Sequence, residues 1–424
     1  MTEWQRRGGA PASLAIDNLR AVVILLVLAF HSVLPYLSSL PHQPFAFDLP
    51  PFLWRAFPIV DQGRWLGFDL FCAWLDVFLM SFFFLLSGLF AWTSLSRRGA
   101  SGFIYGRLLR LGLPFAAVVL VLMPLAHYPS YLQTATDPSI AAFWHHWLAL
   151  PLWPSGPMWF LWLLLVSDIA TAGLYQLMAR RRDALRRLSF YARKHPGRFL
   201  AGCLVASALA YLPLALAFGP SDWFQRGPFS FQLSRPLHYA VYFFAGVAIG
   251  ACGIERGLLA PDGPLARRWP RWLIAAALLF ALWLGLTALT VADPGAAPIG
   301  LQVLDDLSFV LACFASCFGV LALAVRFAAT RRPALDSLNR NAYGMYLIHY
   351  PFVVWLQYAL LPAGLPAIVK AAAVFTGSVL LSWGMTVALC HAPPIARIVG
   401  GGRRAPATPL QPLPPAGRSA SLAG

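Results

Sequence analysis

The sequence predicts an all-α fold, a polytopic bundle of about ten transmembrane helices with both termini cytoplasmic, and three observations predict it. Of 424 residues, 59% are hydrophobic and only 11% charged, where a soluble domain carries roughly 25% charge. Mean hydropathy is +0.66, and apolar runs of about 20 residues, the length that crosses a bilayer, recur along the whole chain. The cations gather in alternate loops.

Taken in order, the spans are expected at residues 14–37, 70–94, 109–128, 157–178, 199–219, 235–254, 271–292, 303–329, 342–360 and 367–391. The first begins after Arg6 and Arg7 and resembles a signal peptide, but its apolar character runs beyond Leu34 without a small-x-small cleavage site, so it is read as a retained helix. One membrane domain then occupies 14–391, between a cytoplasmic N-terminus at 1–13 and a disordered cytoplasmic tail at 392–424, rich in Pro, Gly, Ala and Ser.

A net charge of +16 and a pI near 10.2 raise nucleic-acid binding, but position along the chain argues against it. With the N-terminus inside, 26 of the 32 Lys and Arg fall in cytoplasmic segments and their flanks: Arg6 and Arg7; Arg97, Arg98, Arg107 and Arg110; eight from Arg180 to Arg198; four from Arg256 to Arg271; four from Arg326 to Arg340; and four after His391. That is the positive-inside bias with lipid headgroup contact, which outweighs nucleic-acid binding; a multi-pass protein of the cell inner (plasma) membrane with no nucleic acid as partner is expected.

The loops expected outside, Ser38 to Phe68 and Tyr128 to Gly156, are long and rich in Pro and aromatics. Trp54, Trp65, Trp144, Trp147 and Trp153 fit an interfacial belt there, or a platform on which a sugar stacks. The six cysteines (Cys72, Cys203, Cys252, Cys313, Cys317, Cys390) form no CxxC pair, so no metal site and no disulfide framework is expected. Cys313 and Cys317 share a helix face and are read as packing residues. His145 and His146 are adjacent, point in different directions and are read as loop packing rather than metal ligands. Phosphate loops and HExxH, GxSxG or Walker patterns are missing from the sequence, which removes ATP hydrolysis and metal-dependent proteolysis.

Chemistry is expected where ionisable groups sit in an apolar span, because each costs at least about 2.5 kcal/mol there and persists only with compensation. The first span carries Asp17, Asn18, Arg20 and His31. Arg20 and His31 are separated by about 20° around the helix and about 16 Å along it, so they share one face, and Asp17 lies one turn from Arg20. Taken singly, Arg20 is a snorkelling boundary residue and His31 a satisfied core histidine. The stripe of all three favours function.

Arg20, ten intervening residues and His31 resemble the R-x10-H signature of the acyltransferase-3 family of integral membrane acyltransferases, whose first helix also opens with D-x-x-R. Further matches follow in order: Phe83 to Gly88 resembles the family's F-x-x-SG stretch, Arg107-Leu-Leu-Arg110 its R-x-x-R, Pro157 to Leu161 its W-F-L helix start, and Tyr343 to Phe352 its Y-G-x-Y-L-x-H-x-P block. The first loop and the Ser-Gly to Arg-rich segment are similar to the branch that succinylates periplasmic glucans. The resemblance spans about residues 14 to 391.

The resemblance implies a transferase that moves an acyl group, of the acetyl or succinyl class, from cytoplasmic acyl-CoA to a hydroxyl of an extracytoplasmic glycan or glycolipid of the cell envelope: O-acetylation or glucan modification. Acyl-CoA is then a donor substrate, and no bound cofactor is expected. His31 is the expected general base or acyl relay, since imidazole serves either role near neutral pH. Arg20 would orient the donor, with Asp17 its partner, and Arg107 and Arg110 would grip nucleotide phosphates. His349 and Tyr346 are expected at the cavity. An aspartate that orients His31 is sought among Asp17, Asp76 and Asp306. A transporter or flippase of a glycan or acyl intermediate is the competing class, since many spans and intramembrane Arg, Asp and His suit it also, although no internal repeat is evident. A noncatalytic scaffold would not require the Arg20–His31 stripe.

Overall fold

A computed structural model describes residues 11–177, 190–192, 194–251, 253–254, 257–292 and 297–399. Its helices are α1 (Pro11–Val33), α2 (Leu66–Arg107), α3 (Leu113–Ala117), α4 (Met123–Leu132), α5 (Ile140–Ala149), α6 (Trp159–Leu177), α7 (Pro196–Phe218), α8 (Pro236–Gly250), α9 (Pro264–Arg267), α10 (Trp269–Ala292), α11 (Ile299–Phe327), α12 (Pro333–Ala359), α13 (Ala367–Leu389) and α14 (Pro393–Val399). Several open on a proline in the first turn (Pro196, Pro236, Pro333), where the missing N–H has no intrahelical partner to lose. Most of the basic run from Arg180 to Arg198 lies outside the described residues, as do residues 1–10 and 400–424. Within the segment expected to be a disordered tail, residues 393–399 form the short helix α14.

Among the described residues, seven helices are long and apolar enough, by length and composition, to cross a membrane. The expectation of ten differs for identifiable reasons. The expected second and third spans fall in one helical run of 67 residues, Leu66–Leu132. The sixth becomes α8, only 15 residues long, and the ninth becomes α12, whose first turns carry Asp336 and Arg340.

A straight helix of that length would extend about 100 Å, over three times the hydrocarbon thickness. The run bends at Gly99, whose φ of 70° and ψ of 173° break the helix. Such a φ costs glycine nothing, because it has no Cβ to meet the carbonyl. Two π-helical stretches, Leu108–Gly112 and Val118–Leu122, then flank α3; such wide turns shift the face a helix presents and recur at functional sites.

Among the described residues the one strand pair is a two-stranded antiparallel hairpin, β1 (Trp223–Arg226) with β2 (Phe229–Gln232), Trp223 facing Gln232. Alternating aromatics around Gly227-Pro228 were its signal in the sequence.

Helix α11 is the central post: 83% of its apolar window is buried, against 6% for α10. Both are apolar all round, so hydropathy alone does not separate core from lipid-facing helix. Small residues Ala312, Cys313, Ala315, Ser316, Cys317 and Gly319 let neighbours approach α11, and the Cys317 thiol donates to Phe78 O at 3.7 Å, so the pair packs as expected. Helix α2 lies against α8, α1 against α12, and α12 against α13. The α2–α8 contact needs glycine: a Cβ at Gly88 would collide with Phe243 O, and one at Gly246 with Leu85 O. This is the small-residue packing that membrane helices use in place of a hydrophobic drive.

The 38–65 loop is structured. Trp54 (1% exposed) and Trp147 (1%) are buried with Phe47, Tyr131 and Phe143, and Trp54 Nε1 donates to Phe47 O at 2.9 Å. Neither tryptophan is a belt or platform residue; Trp65 and Trp144 are exposed. His146 pairs with Asp48 at 2.9 Å. Lys370 Nζ meets Asp61 Oδ2 at 2.8 Å, with side chains 5% and 3% exposed, which ties the loop to the start of α13.

Two outcomes are expected of the detergent-solubilised protein. Gly246→Ala lowers stability by about 1–3 kcal/mol through forced separation of α2 and α8. Asp61→Ala costs about 3–5 kcal/mol, because it leaves the Lys370 ammonium buried and unpaired. Melting curves followed by circular dichroism or thiol reactivity check both.

Candidate active site

Helices α1, α2, α6 and α12 enclose a cavity of about 360 Å³ with the fold-back segment 103–111. Four guanidinium-bearing residues line it: Arg20, Arg98, Arg107 and Arg110. Between them stand aromatic and hydroxyl groups, among them Phe90, Phe103, Tyr343, Ser87 and Ser94. The Gly99 bend explains the grouping, since it returns Arg107 and Arg110 alongside the end of α2 and across from Arg20.

Each cation is held differently. Arg107 Nε lies 3.2 Å from Asp168 Oδ2, a carboxylate only 1% exposed, and its guanidinium sits 4.9 Å from the Phe103 ring centre. Arg20 lies 5.8 Å from the Phe90 ring centre and feels the fields of Asp17, Arg107 and Arg110. Both contacts are cation–π geometry. Tyr343 OH donates to Arg110 O, which pins the π-helical turn. Next to the stripe, Asn18 Nδ2 donates to Ala328 O (2.6 Å) and Thr330 O (2.9 Å), locking the start of α1 to the end of α11.

Tyr346 and Ile24 also line this cavity, Ile24 about one helical turn beyond Arg20 on α1. Tyr346 OH donates to Pro157 O at 2.6 Å. His31 does not line the cavity; it lies seven residues beyond Ile24 on α1, about 10 Å further along. There it meets His349 at 5.2 Å and Tyr350 at 5.4 Å between ring centres. Gln357 Nε2 donates to His31 O at 2.7 Å, fixing that level of α1 to α12. His127, fully buried on α4, lies 5.6 Å from the Tyr350 ring.

The hydrogen bonds set the tautomers. His31 Nδ1 is 2.8 Å from Val27 O, and His349 Nδ1 is 2.7 Å from Tyr346 O. A carbonyl oxygen only accepts, so in each neutral ring Nδ1 carries the proton and Nε2 keeps its lone pair. His349 Nε2 is buried and makes no hydrogen bond. His31 therefore presents a base at Nε2 and is oriented by its own helix backbone.

That corrects the search for an orienting aspartate. Asp76 is committed elsewhere: its carboxylate grips Arg235 at 2.6 and 3.0 Å, between α2 and α8. Asp306 lies on α11, buried, and Asp17 is near the Arg20 end of α1. Among the described residues the partner of His31 Nδ1 is a backbone carbonyl. Arg235, 4.9 Å from the Phe309 ring centre, was not singled out from sequence; its isolation as a cation at the start of an apolar run was the available signal.

The sequence-derived set thus separates into three. Arg20, Arg107, Arg110 and Tyr346 come together at the cavity, with Asp17 behind Arg20; His31 and His349 come together one level deeper; Asp76 and Asp306 belong to neither. No group of three His, Cys, Asp or Glu side chains able to hold a metal occurs among the described residues. Asp76→Asn is expected to lower the melting temperature measured by circular dichroism, because Arg235, 6% exposed, loses its counter-charge.

Neither a curated protein nor a solved structure matches the chain. A family model, the acyltransferase domain of the acyltransferase-3 type, matches residues 13–387. This span contains the arginine cavity and the histidine cluster together, and with several membrane-length apolar helices it makes the protein a multi-pass membrane enzyme: the chain belongs to the acyltransferase-3 family.

Proposed function

We propose that this acyltransferase moves an acyl group of the acetyl or succinyl class from cytoplasmic acyl-coenzyme A to a hydroxyl of an extracytoplasmic glycan, in the inner (plasma) membrane, with His31 as its working base. The glucan-succinylating branch suggested by the first loop is the finer form of the same reading. Residues 14–391 would form the catalytic unit, between cytoplasmic ends.

One observation carries the reading: a cavity walled by four arginines ends about two helical turns short of a histidine whose Nε2 is free to accept a proton. Guanidinium groups suit phosphates, which they bind with paired N–H donors. The aromatic wall suits an adenine ring and the apolar inner end a pantetheine arm. A thioester entering along that path would reach His31 after its phosphates are held.

At His31 the bookkeeping is simple. Nε2 takes the proton of the acceptor hydroxyl as its oxygen bonds to the thioester carbonyl carbon; the carbon–sulfur bond then breaks, and the imidazolium returns the proton to the departing thiolate. In the relay form Nε2 itself bonds to the carbonyl carbon and the carbon–sulfur bond breaks to release the coenzyme A thiolate; the acceptor oxygen then bonds to the same carbon, the carbon–nitrogen bond breaks, and the hydroxyl proton passes by way of Nε2 to the thiolate. Both begin at the same nitrogen, and Val27 O fixes which nitrogen that is. Gln357, by anchoring the His31 carbonyl, holds that turn of α1 against α12, while the Nδ1 contact to Val27 O orients the ring.

Free-thiol release from acyl-coenzyme A, measured in membranes with and without cell-envelope glycan, tests this. His31→Ala should abolish the glycan-dependent release while folded protein remains. Arg107→Ala should raise the donor concentration needed for half-maximal rate by about tenfold, the worth of one charge-assisted contact, more than it lowers the maximal rate. If folded wild-type protein releases no thiol with acetyl or succinyl donors, the transporter reading takes precedence; unchanged donor affinity would remove Arg107 from the site.

A further inference from the structure

Arg98 is the last residue of α2 before the Gly99 bend, and it reads from sequence as one more inside-positive charge. The fold gives it a particular place. Gly106, on the returning segment, leaves room for its guanidinium: a Cβ there would lie 3.1 Å from Arg98 NH1. Across the bend, Gly102 has an added Cβ at 3.5 Å from Arg98 Cβ. The head of Arg98 is thus laid back over the fold-back toward Arg107 and Arg110, and it joins them in the cavity wall.

Charge accounting sets Arg98 and Arg110 apart from the other two. Arg107 has Asp168 at 3.2 Å, and Arg20 has the field of Asp17. Among the described residues neither Arg98 nor Arg110 has a carboxylate within ion-pair distance. The cavity therefore carries about two positive charges with no protein counter-ion, both exposed, and so able to meet an anionic ligand. Position orders them. Arg20 stands beside Phe90, and Arg98 is eight residues further along α2, about 12 Å toward the bend. Phe83 lines the cavity at the other end of that stretch of α2. Along α2, Arg98 is thus the lining cation at the bend end, away from Phe83.

Resting on the donor assignment above, we infer that Arg98 is a binding residue for the 3′-phosphate of coenzyme A. In that donor the thioester is at one end and the 3′-phosphorylated ribose at the other, with the diphosphate between. Thioester toward His31 puts the 3′-phosphate at the Arg98 end, and leaves Arg107 and Arg110 for the diphosphate. The 3′-phosphate is a terminal dianion, and an exposed guanidinium at the bend end of the cavity can meet it with paired N–H donors. The Gly99 bend and the space at Gly106 are the features that put a charge there.

The test compares coenzyme A with 3′-dephosphocoenzyme A, by titration calorimetry on the purified full chain in detergent. The wild-type protein should prefer coenzyme A by about tenfold or more, as charge-assisted bonds predict. Arg98→Ala should reduce that ratio to near one, while Arg110→Ala weakens both ligands and keeps the ratio. Arg98→Lys, which retains the charge and loses the fork, should give an intermediate ratio and stands in if the alanine variant does not fold. A preserved ratio in Arg98→Ala, or none in the wild type, overturns the Arg98 assignment and leaves the donor reading standing. Failure of the wild type to bind coenzyme A at all overturns both.

Discussion

The run from Leu66 to Leu132 is helical for 67 residues, and a bilayer accommodates such a length only if it turns back on itself. Gly99 supplies the turn, at a φ of 70° that any side chain would resist. Much of the rest depends on this bend. It sets the cations of the returning segment, Arg107 and Arg110, against Arg98 on the outgoing one, and it lets both halves close on Arg20 of α1. Without it the arginines would be spread along one long rod. With it they enclose a cavity, and the π-helical turn that follows, held by Tyr343, aims Arg110 inward.

Charges in this bundle then divide by whether the protein itself neutralises them. Lys370 has Asp61, Arg235 has Asp76 and Arg107 has Asp168; these pairs fasten a loop to α13, α2 to α8, and the fold-back to α6. The cations without a carboxylate partner, Arg98 and Arg110, are exposed and line the cavity with Arg20, while at the His31 end two buried rings each have Nδ1 on a backbone carbonyl. The two ends suit different work, anion capture and proton transfer, and α1 joins them as a rigid ruler.

Much of this was legible beforehand. Apolar length and loop charge gave the helices, and the eleven-residue interval between Arg20 and His31 put both on one face, since it is nearly three whole turns. Harder to read were features that depend on three-dimensional neighbours. Hydropathy could not separate α11 from α10, because membrane helices look alike inside the bundle and at its edge. Trp54 and Trp147 share the composition of interfacial tryptophans, yet their loops fold them into a small core. Asp76 was a reasonable partner for His31 until Arg235, 159 residues away in sequence, proved to hold it. Arg98 was hidden among topology-setting cations, and only the bend distinguishes it.

The central claim is directional: the donor enters from the arginine end, and the acceptor hydroxyl reaches His31 from the other. Sealed vesicles of opposite orientation test this directly, with membrane-impermeant acyl-coenzyme A added outside and thiol release followed in the presence of glycan on the far side. The account predicts release in inverted vesicles, whose exposed face is cytoplasmic, and none in right-side-out vesicles until they are made permeable. Release by intact right-side-out vesicles, with none from inverted ones, would contradict it.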